Sequence, residues 1–188
     1  MIEIVVKIGG GLLAHTEHFL RVLLTIDRAA RERRLLVVPG GGPFADIVRD
    51  VDRRLRITDD AAHWMAVLAM DQYAYAIADR LGNAAVVENR SDIAAVLDAR
   101  RVPVLAPYRW LREADPLPHS WDVTSDSIAA WVAGEVGARR LVLIKPPGAI
   151  RGGGDLVDAH FAQAVPTGLD VITLGADPTD AFHDEILG

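Results

Sequence analysis

An open α/β sheet, largely parallel and covered by helices on both faces in a three-layer αβα sandwich, is the fold class the sequence predicts, on three observations. Short runs of branched apolar residues alternate along the chain with longer stretches whose apolar positions recur at helical spacing. The first two of those runs stop at glycine triplets, Gly9-Gly10-Gly11 and Gly40-Gly41-Gly42, as tight strand-to-helix turns do. The 188 residues, 51% apolar and 24% charged, have the size and composition of one folded domain, 1–188, and exclude disorder through low hydrophobicity.

Taken in order, Ile2 to Lys7 reads as a buried strand ending in the first glycine turn. Thr16 to Arg33 follows as a helix, with Phe19, Leu20, Leu23, Leu24 and Ile26 on its apolar side and Thr16 as its cap. Leu35 to Val38 is a second short strand, and Pro39 leads into the second glycine turn. In the next helix Ala45, Ile47, Val48, Val51 and Leu55 give one apolar face, and Arg49, Asp50, Asp52, Arg53 and Arg54 solvate the rest. A long helix opens at Thr58-Asp59-Asp60 and stops at Gly82-Asn83. Ala84–Val87 is predicted as a strand, Asp92–Arg100 as a helix and Val102–Ala106 as a buried strand. Pro107 to His119 reads as a proline-punctuated loop, and loops of that length are often functional. Val123–Val136 is a helix introduced by Thr124, Ser125 and Asp126, and Leu141–Ile144 is a strand ending at Lys145. Pro146–Gly154 is predicted as loop, Val171–Leu174 as the last strand and Pro178–Leu187 as the closing helix.

Composition excludes several classes of function. Acidic residues outnumber basic ones 26 to 20, which argues against a nucleic-acid partner held by phosphate-backbone attraction. Cysteine is absent, so disulfides, thiolate zinc sites and cysteine nucleophiles are excluded, and a reducing compartment, the cytoplasm, is the expected location. No apolar run approaches the roughly 20 residues that span a bilayer, so no membrane partner is expected, and the N-terminus reads as a strand rather than a leader. Only two of the basic residues are lysines, Lys7 and Lys145. A chain that otherwise uses arginine keeps lysine where a compact, single-point ammonium is needed, as beside a transferring phosphoryl group.

In an open α/β sheet the ligand crevice lies beyond the carboxyl ends of the strands, and there the informative residues converge. One strand ends in Lys7 and a glycine triplet, a second in another triplet, and a third in Lys145. Glycine turns let backbone N–H groups approach phosphate oxygens, and a following helix start favours anions, so two such turns suggest two phosphate-bearing groups. Either turn alone is equally explained by the geometry of a tight strand-to-helix connection. Neither is a Walker loop, which needs a lysine and a hydroxyl after the glycines, and neither has the dinucleotide glycine spacing. His119-Ser120-Trp121-Asp122-Val123-Thr124-Ser125-Asp126-Ser127 places Asp126 in the first turn of a helix, where capping and the helix dipole are sufficient reasons for an acid.

Lys7-Ile8-Gly9-Gly10-Gly11, Val38-Pro39-Gly40-Gly41-Gly42 with Phe44-Ala45-Asp46, and Thr124-Ser125-Asp126-Ser127-Ile128-Ala129 resemble, in order and spacing, the three signatures of the amino acid kinase superfamily. The resemblance covers nearly the whole chain. Within the superfamily, the His119-Ser120-Trp121 lead-in, the Met70-Asp71 pair and the short length are most similar to the kinases of aminomethylfuran phosphate in methanofuran biosynthesis. It implies helices packed around a mostly parallel eight-stranded sheet, ATP with magnesium, a homodimer, and transfer of the γ-phosphoryl group to a small-molecule phosphate acceptor. By the same resemblance Lys7 bridges donor and acceptor phosphoryl oxygens, Gly9, Gly10 and Gly11 hold the ATP phosphates, Gly40, Gly41 and Gly42 hold the acceptor, and Asp126 orients the lysines. Such chemistry asks the protein for positioning and charge neutralisation, and an acceptor that is already a phosphate monoester needs no base.

The chain departs from the family after Ile144. Relatives carry a threonine-aspartate-valine-aspartate-glycine stretch there, and this chain has Lys145-Pro146-Pro147-Gly148-Ala149. Lys145, at a strand end, is a candidate second catalytic ammonium. Its alternative is a solvated surface lysine. Loss of productive nucleotide binding would leave a catalytically silent ligand-binding or assembly protein, and a kinase of an amino acid carboxylate is a further alternative. Trp121 could stack on a furan and His119 could supply a donor, although either could simply pack. Asp71 could receive an aminomethyl cation, or pair with an arginine or face solvent. Trp64, Met65, Leu68, Tyr73 and Tyr75 read as core or dimer face. His160, His183 and the tail acids show no metal-ligand spacing, so magnesium would be held by nucleotide phosphates and no residue is assigned to metal.

Overall fold

The computed structural model describes residues 1–152, 156–176 and 182–187. Six strands form one parallel sheet: β1 (Ile4–Ile8), β2 (Leu35–Pro39), β3 (Ala84–Val87), β4 (Val102–Leu105), β5 (Arg140–Lys145) and β6 (Asp170–Gly175), in the order β3-β4-β2-β1-β5-β6. Parallel neighbours need crossovers, and helices supply them: α1 (Thr16–Glu32), α2 (Gly42–Leu55), α3 (Asp59–Leu81), α4 (Arg90–Asp98), α5 (Tyr108–Ala114), α6 (Ser125–Glu135) and α7 (Phe161–Ala164), while α8 (Phe182–Leu187) follows β6 and packs on α1. From β1 the chain moves to one side of the sheet to build β2, β3 and β4, then returns to the other side of β1 for β5 and β6. The reversal falls between β1 and β5, and a crevice opens beyond the strand ends at such a point.

The strands alternate their side chains between two cores. Ile4, Val6, Ile8, Val37, Val142 and Ile144 pack with α1 and the second half of α3. Val5, Leu36, Val38, Leu141 and Leu143 pack with α6 and the first half of α3. With Trp64, Val67 and Met70 in one core and Tyr73, Ala74 and Ile77 in the other, α3 has no single apolar stripe, as expected of a helix covered on more than one side.

Five expectations need correction. Ile47 and Leu55, expected on the apolar face of α2, are exposed, and of that face the helix buries Ala45 and Val48. The sheet has six strands among the described residues, as the apolar runs predict, and not the eight implied by the family resemblance. Among the described residues, the short segment between β5 and β6 supplies a 3-10 turn at Ala149–Gly152 and the four-residue α7. The expected loop Pro107–His119 contains α5, which Asp71 of α3 secures by accepting the backbone N–H of Tyr108 at 3.0 Å. His15, not Thr16, occupies the cap position of α1. Helix α4 starts earlier than expected, at Arg90, because Asn89 caps it by accepting the N–H of Asp92. Thr58 caps α3 as predicted, accepting the N–H of Ala61. Gly153 and Gly154 in the expected loop and 178–181 of the expected closing helix lie outside the described residues.

Candidate active site

Strand parity assembles the centre of the site. In the β1–β5 register Val5 lies beside Leu141 and Lys7 beside Leu143. Val5, Leu141 and Leu143 all face the core under α6, so Lys7 and Lys145, at positions of the same parity, project to that face as well. The first turn of α6 carries Asp126 above them. Lys7 Nζ lies 2.8 Å from Asp126 Oδ1, and Lys145 Nζ donates to Oδ1 at 2.9 Å and to Oδ2 at 2.8 Å. Lys7, Asp126 and Lys145 are 4%, 5% and 9% exposed, so Lys145 is not the solvated lysine of the alternative reading. Two ammonium groups share one carboxylate out of water. The trio therefore has one uncompensated positive charge, which an anion would neutralise.

Proton affinities follow that imbalance. Burial pushes the Asp126 carboxyl up, but the two ammonium groups and their hydrogen bonds outweigh it and hold the group below the usual carboxylate range. Burial, and then the charge of Lys7, push Lys145 below the ordinary lysine value, against the pull of Asp126 and Asp158.

Three connections meet around the trio at the switch point. Gly9 donates to the carbonyl of Ile144 and Gly40 to that of Ile8, both at 2.8 Å. The two glycine turns pack backbone on backbone: a Cβ on Gly10 would sit 2.8 Å from Gly42 Cα, and one on Gly40 would sit 2.5 Å from Gly10 N. A Cβ on Gly11 would meet Pro146, the residue after Lys145, at 2.9 Å. Close approach thus demands glycine here whatever else the turns do. Gly42 adds a left-handed φ of 57° at the start of α2. The first-turn N–H groups of α2 have no partner within the helix.

A pocket lies on each flank of the trio. One is lined by Thr124, Asp126, Lys145, Ala149, Leu156, Val157 and Asp158. The other lies between α2, α3 and the start of α6, with Gly41, Arg49, Asp59, His63, Met70, Trp121, Thr124 and Ser125 among its walls. In that second wall the Trp121 indole N–H donates to Asp52 at 2.8 Å, and the Arg49 guanidinium lies 5.2 Å from its ring centroid. His119 sits behind the wall, stacked on His63 at 4.2 Å between centroids. Asp71 is not among the lining residues; its half-buried carboxyl is pushed up to about 6, by burial first and by Glu88, against the Tyr108 N–H.

Two residues of the site escaped the sequence reading. Asp158 caps α6 from 31 to 34 residues away: its carboxylate accepts the Thr124 N–H at 2.9 Å, the Thr124 hydroxyl at 2.7 Å, the Ser127 N–H at 3.0 Å and the Ser127 hydroxyl. Thr124 makes no capping bond of its own. Asp158 belongs to no local motif, so no nearby spacing points to it. His63 does follow the cap Thr58 by little more than one turn, which is a signal that it faces the start of α6 only once the packing of α3 is known. Among the described residues no cluster of three or more His, Cys, Asp or Glu is placed to hold a metal ion.

The model of the amino acid kinase family matches residues 3–165. The chain belongs to the amino acid kinase family. Over 139 residues it is 27% identical to the [5-(aminomethyl)furan-3-yl]methyl phosphate kinase of Methanocaldococcus jannaschii, a match covering 74% of this chain and 63% of that protein. This member of the amino acid kinase family thus spans less than two thirds of the curated relative it matches. Its fold is that of the uridylate kinase from Archaeoglobus fulgidus, with a TM-score of 0.71 at 17% identity, covering 100% of this chain and 96% of that one. The UMP kinase from Ureaplasma parvum superposes with a TM-score of 0.68 at 16% identity, covering 94% and 91%.

Proposed function

We propose that this chain is an ATP-dependent kinase that transfers the γ-phosphoryl group to a phosphate monoester, with aminomethylfuran phosphate as the acceptor. The observation that carries the reading is the buried Lys7–Asp126–Lys145 trio, which has one positive charge in excess and sits at the switch point against two packed glycine turns. Family membership supports the reaction, and the Methanocaldococcus jannaschii relative supports the acceptor.

In this reading the β5 flank takes the nucleotide phosphates and the α2–α3 flank takes the acceptor. Lys7 lies between them and neutralises the oxygens of the group in transfer, Lys145 compensates the donor phosphates, and Asp126 holds both ammonium groups at fixed positions. A monoester oxygen is ionised at neutral pH, so it attacks the γ-phosphorus directly. The bond to the β-phosphate oxygen breaks, ADP leaves with the electron pair, and the acceptor becomes a diphosphate. Asp126 is committed to the lysines and is not needed as a base. Magnesium, when bound with ATP, supplies further charge neutralisation and would be held chiefly by phosphate oxygens.

ADP release, measured across a panel of phosphomonoesters that includes aminomethylfuran phosphate, tests the proposal. Release above the no-acceptor rate with that compound is the expected result. A folded protein that releases no ADP with any phosphomonoester, and binds no magnesium-ATP in a calorimeter, would establish the catalytically silent alternative that Lys145-Pro146-Pro147 raises.

A further inference from the structure

Behind the α2–α3 pocket lies a cluster that phosphoryl transfer leaves unused. His119 places Nδ1 2.9 Å from Asp60 Oδ1 and Nε2 2.8 Å from Asp115 Oδ1. An imidazole donates from both nitrogens only as the imidazolium, so the clamp is complete when His119 is protonated. Its ring stacks on that of His63 at 16° and 4.2 Å, and Trp64 meets both rings edge-on at 4.8 and 5.0 Å. Trp64 is itself fixed, through its N–H to Asp60 at 3.1 Å and by the Arg112 guanidinium 4.6 Å from its centroid. The stack therefore holds the His63 ring at one orientation in the pocket wall.

His63 is 9% exposed and lines the pocket, yet it has no hydrogen-bond partner among the described residues. The charged groups around it are Asp60, Asp115 and His119 behind, with Asp59 and Arg49 in the same pocket wall. Arg49 is paired with Asp46 at 2.7 Å, whereas Asp59 has no ion pair among the described residues. Burial, and then the charge of His119, push His63 down to about 4, so it is neutral in use and has a lone pair to offer. An acceptor seated here meets a neutral imidazole and an unpaired carboxylate in one wall.

We infer that His63 and Asp59 receive a protonated amine on the phosphoryl acceptor, His63 by accepting a hydrogen bond and Asp59 as counter-charge, with His119 as the positioning residue that holds the His63 ring. The inference rests on the kinase reading and names the residues that recognise the amine of its acceptor. It also moves the amine site away from Asp71, whose carboxylate serves the start of α5.

Calorimetric titration with [5-(aminomethyl)furan-3-yl]methyl phosphate and with its analogue bearing methyl in place of aminomethyl tests this directly. His63→Phe keeps the stack and removes the lone pair. It is expected to lose about 10- to 100-fold affinity for the amine ligand, the range for a hydrogen bond to a charged group, and to bind the methyl analogue as the unaltered protein does. Asp59→Asn, which touches no part of the ring stack, is expected to show the same selective loss. In His119→Gln the NMR titration midpoint of His63 is expected to rise from about 4 towards the ordinary histidine value of 6.5. Equal losses for the two ligands, no loss in either variant, or an unaltered protein that does not distinguish the ligands would overturn the inference. An unmoved His63 midpoint in His119→Gln would overturn the role given to His119. The selective loss is read without turnover, so it can hold where ADP release fails, and ADP release can hold where it fails.

Discussion

The two flanks of the Lys7–Asp126–Lys145 trio are built differently. The α2–α3 flank stands on helices of 14 and 23 residues, and its wall is fixed in layers: Trp121 by Asp52 and Arg49, His63 by His119, and His119 by two carboxylates. The β5 flank stands on Lys145, the short segment that follows it, and a single carboxylate, Asp158, that ties this segment to the start of α6. Side chains locked by packing and hydrogen bonds define a geometry more closely than a short connection does. On the proposed kinase reading, the contrast assigns selectivity to the α2–α3 flank and leaves the β5 flank relying on charge, concentrated in Lys145.

The largest effects should come from that charge. Asp126→Asn leaves two ammonium groups buried without a counter-ion and is expected to cost about 3–5 kcal/mol of stability in denaturant unfolding, together with turnover. Lys145→Met should separate the two quantities. Turnover is expected to fall by about 10²- to 10³-fold, as when one charge-stabilising donor is removed. Stability should hold or rise, because burial already opposes the Lys145 charge and Lys7 keeps its partner. A stability loss as large as that of Asp126→Asn would show that Lys145 serves the fold rather than the donor.

A smaller effect is expected at Asp158. Removing a helix cap costs about 0.5–2 kcal/mol, so Asp158→Ala should lower stability by that amount. It should also raise the KM for magnesium-ATP and leave the KM for the acceptor unchanged. An equal rise in both would erase the distinction between the flanks.

The smallest effect is a pH dependence within α3, where two residues oppose each other. His63 has a folded pKa of about 4, below its unfolded 6.5, so the unfolded chain binds more protons in that interval and His63 withdraws stability as pH falls through it. Asp71 has a folded pKa of about 6, above its unfolded 3.8, so the folded chain binds more protons and Asp71 adds stability as pH falls from 6 towards 3.8. Asp71→Asn, which can still accept the Tyr108 N–H, is expected to gain on the order of 1 kcal/mol at pH 7 and to steepen the loss on acidification. A parallel pH profile in the variant would contradict the assignment.

Much of the centre was legible in the sequence, because it rests on local patterns. Branched apolar runs mark all six strands, and the period of two along β1 and β5 places both lysines on the face that α6 covers. The glycine triplets mark the turns, although steric need at Gly10 and Gly40 would have produced the same residues without a ligand. What lay outside reach depends on distant packing. Asp158 caps a helix more than thirty residues upstream, and Asp71 secures one 37 residues downstream. Helix α5 was hidden for that reason: its stabilising carboxylate is elsewhere in the chain. The sequence points to His119 as a donor to the acceptor, whereas the structure places it one layer back, with His63 in the wall.

Phosphorus NMR of the protein with magnesium-ATP and aminomethylfuran phosphate, run beside Lys7→Met, shows whether the buried trio carries phosphoryl transfer. Paired diphosphate resonances of a new product are expected to grow with those of ADP in the unaltered protein, and neither in Lys7→Met. A diphosphate product formed at the same rate without the Lys7 ammonium, or no product from a folded protein that binds both ligands, would contradict that role.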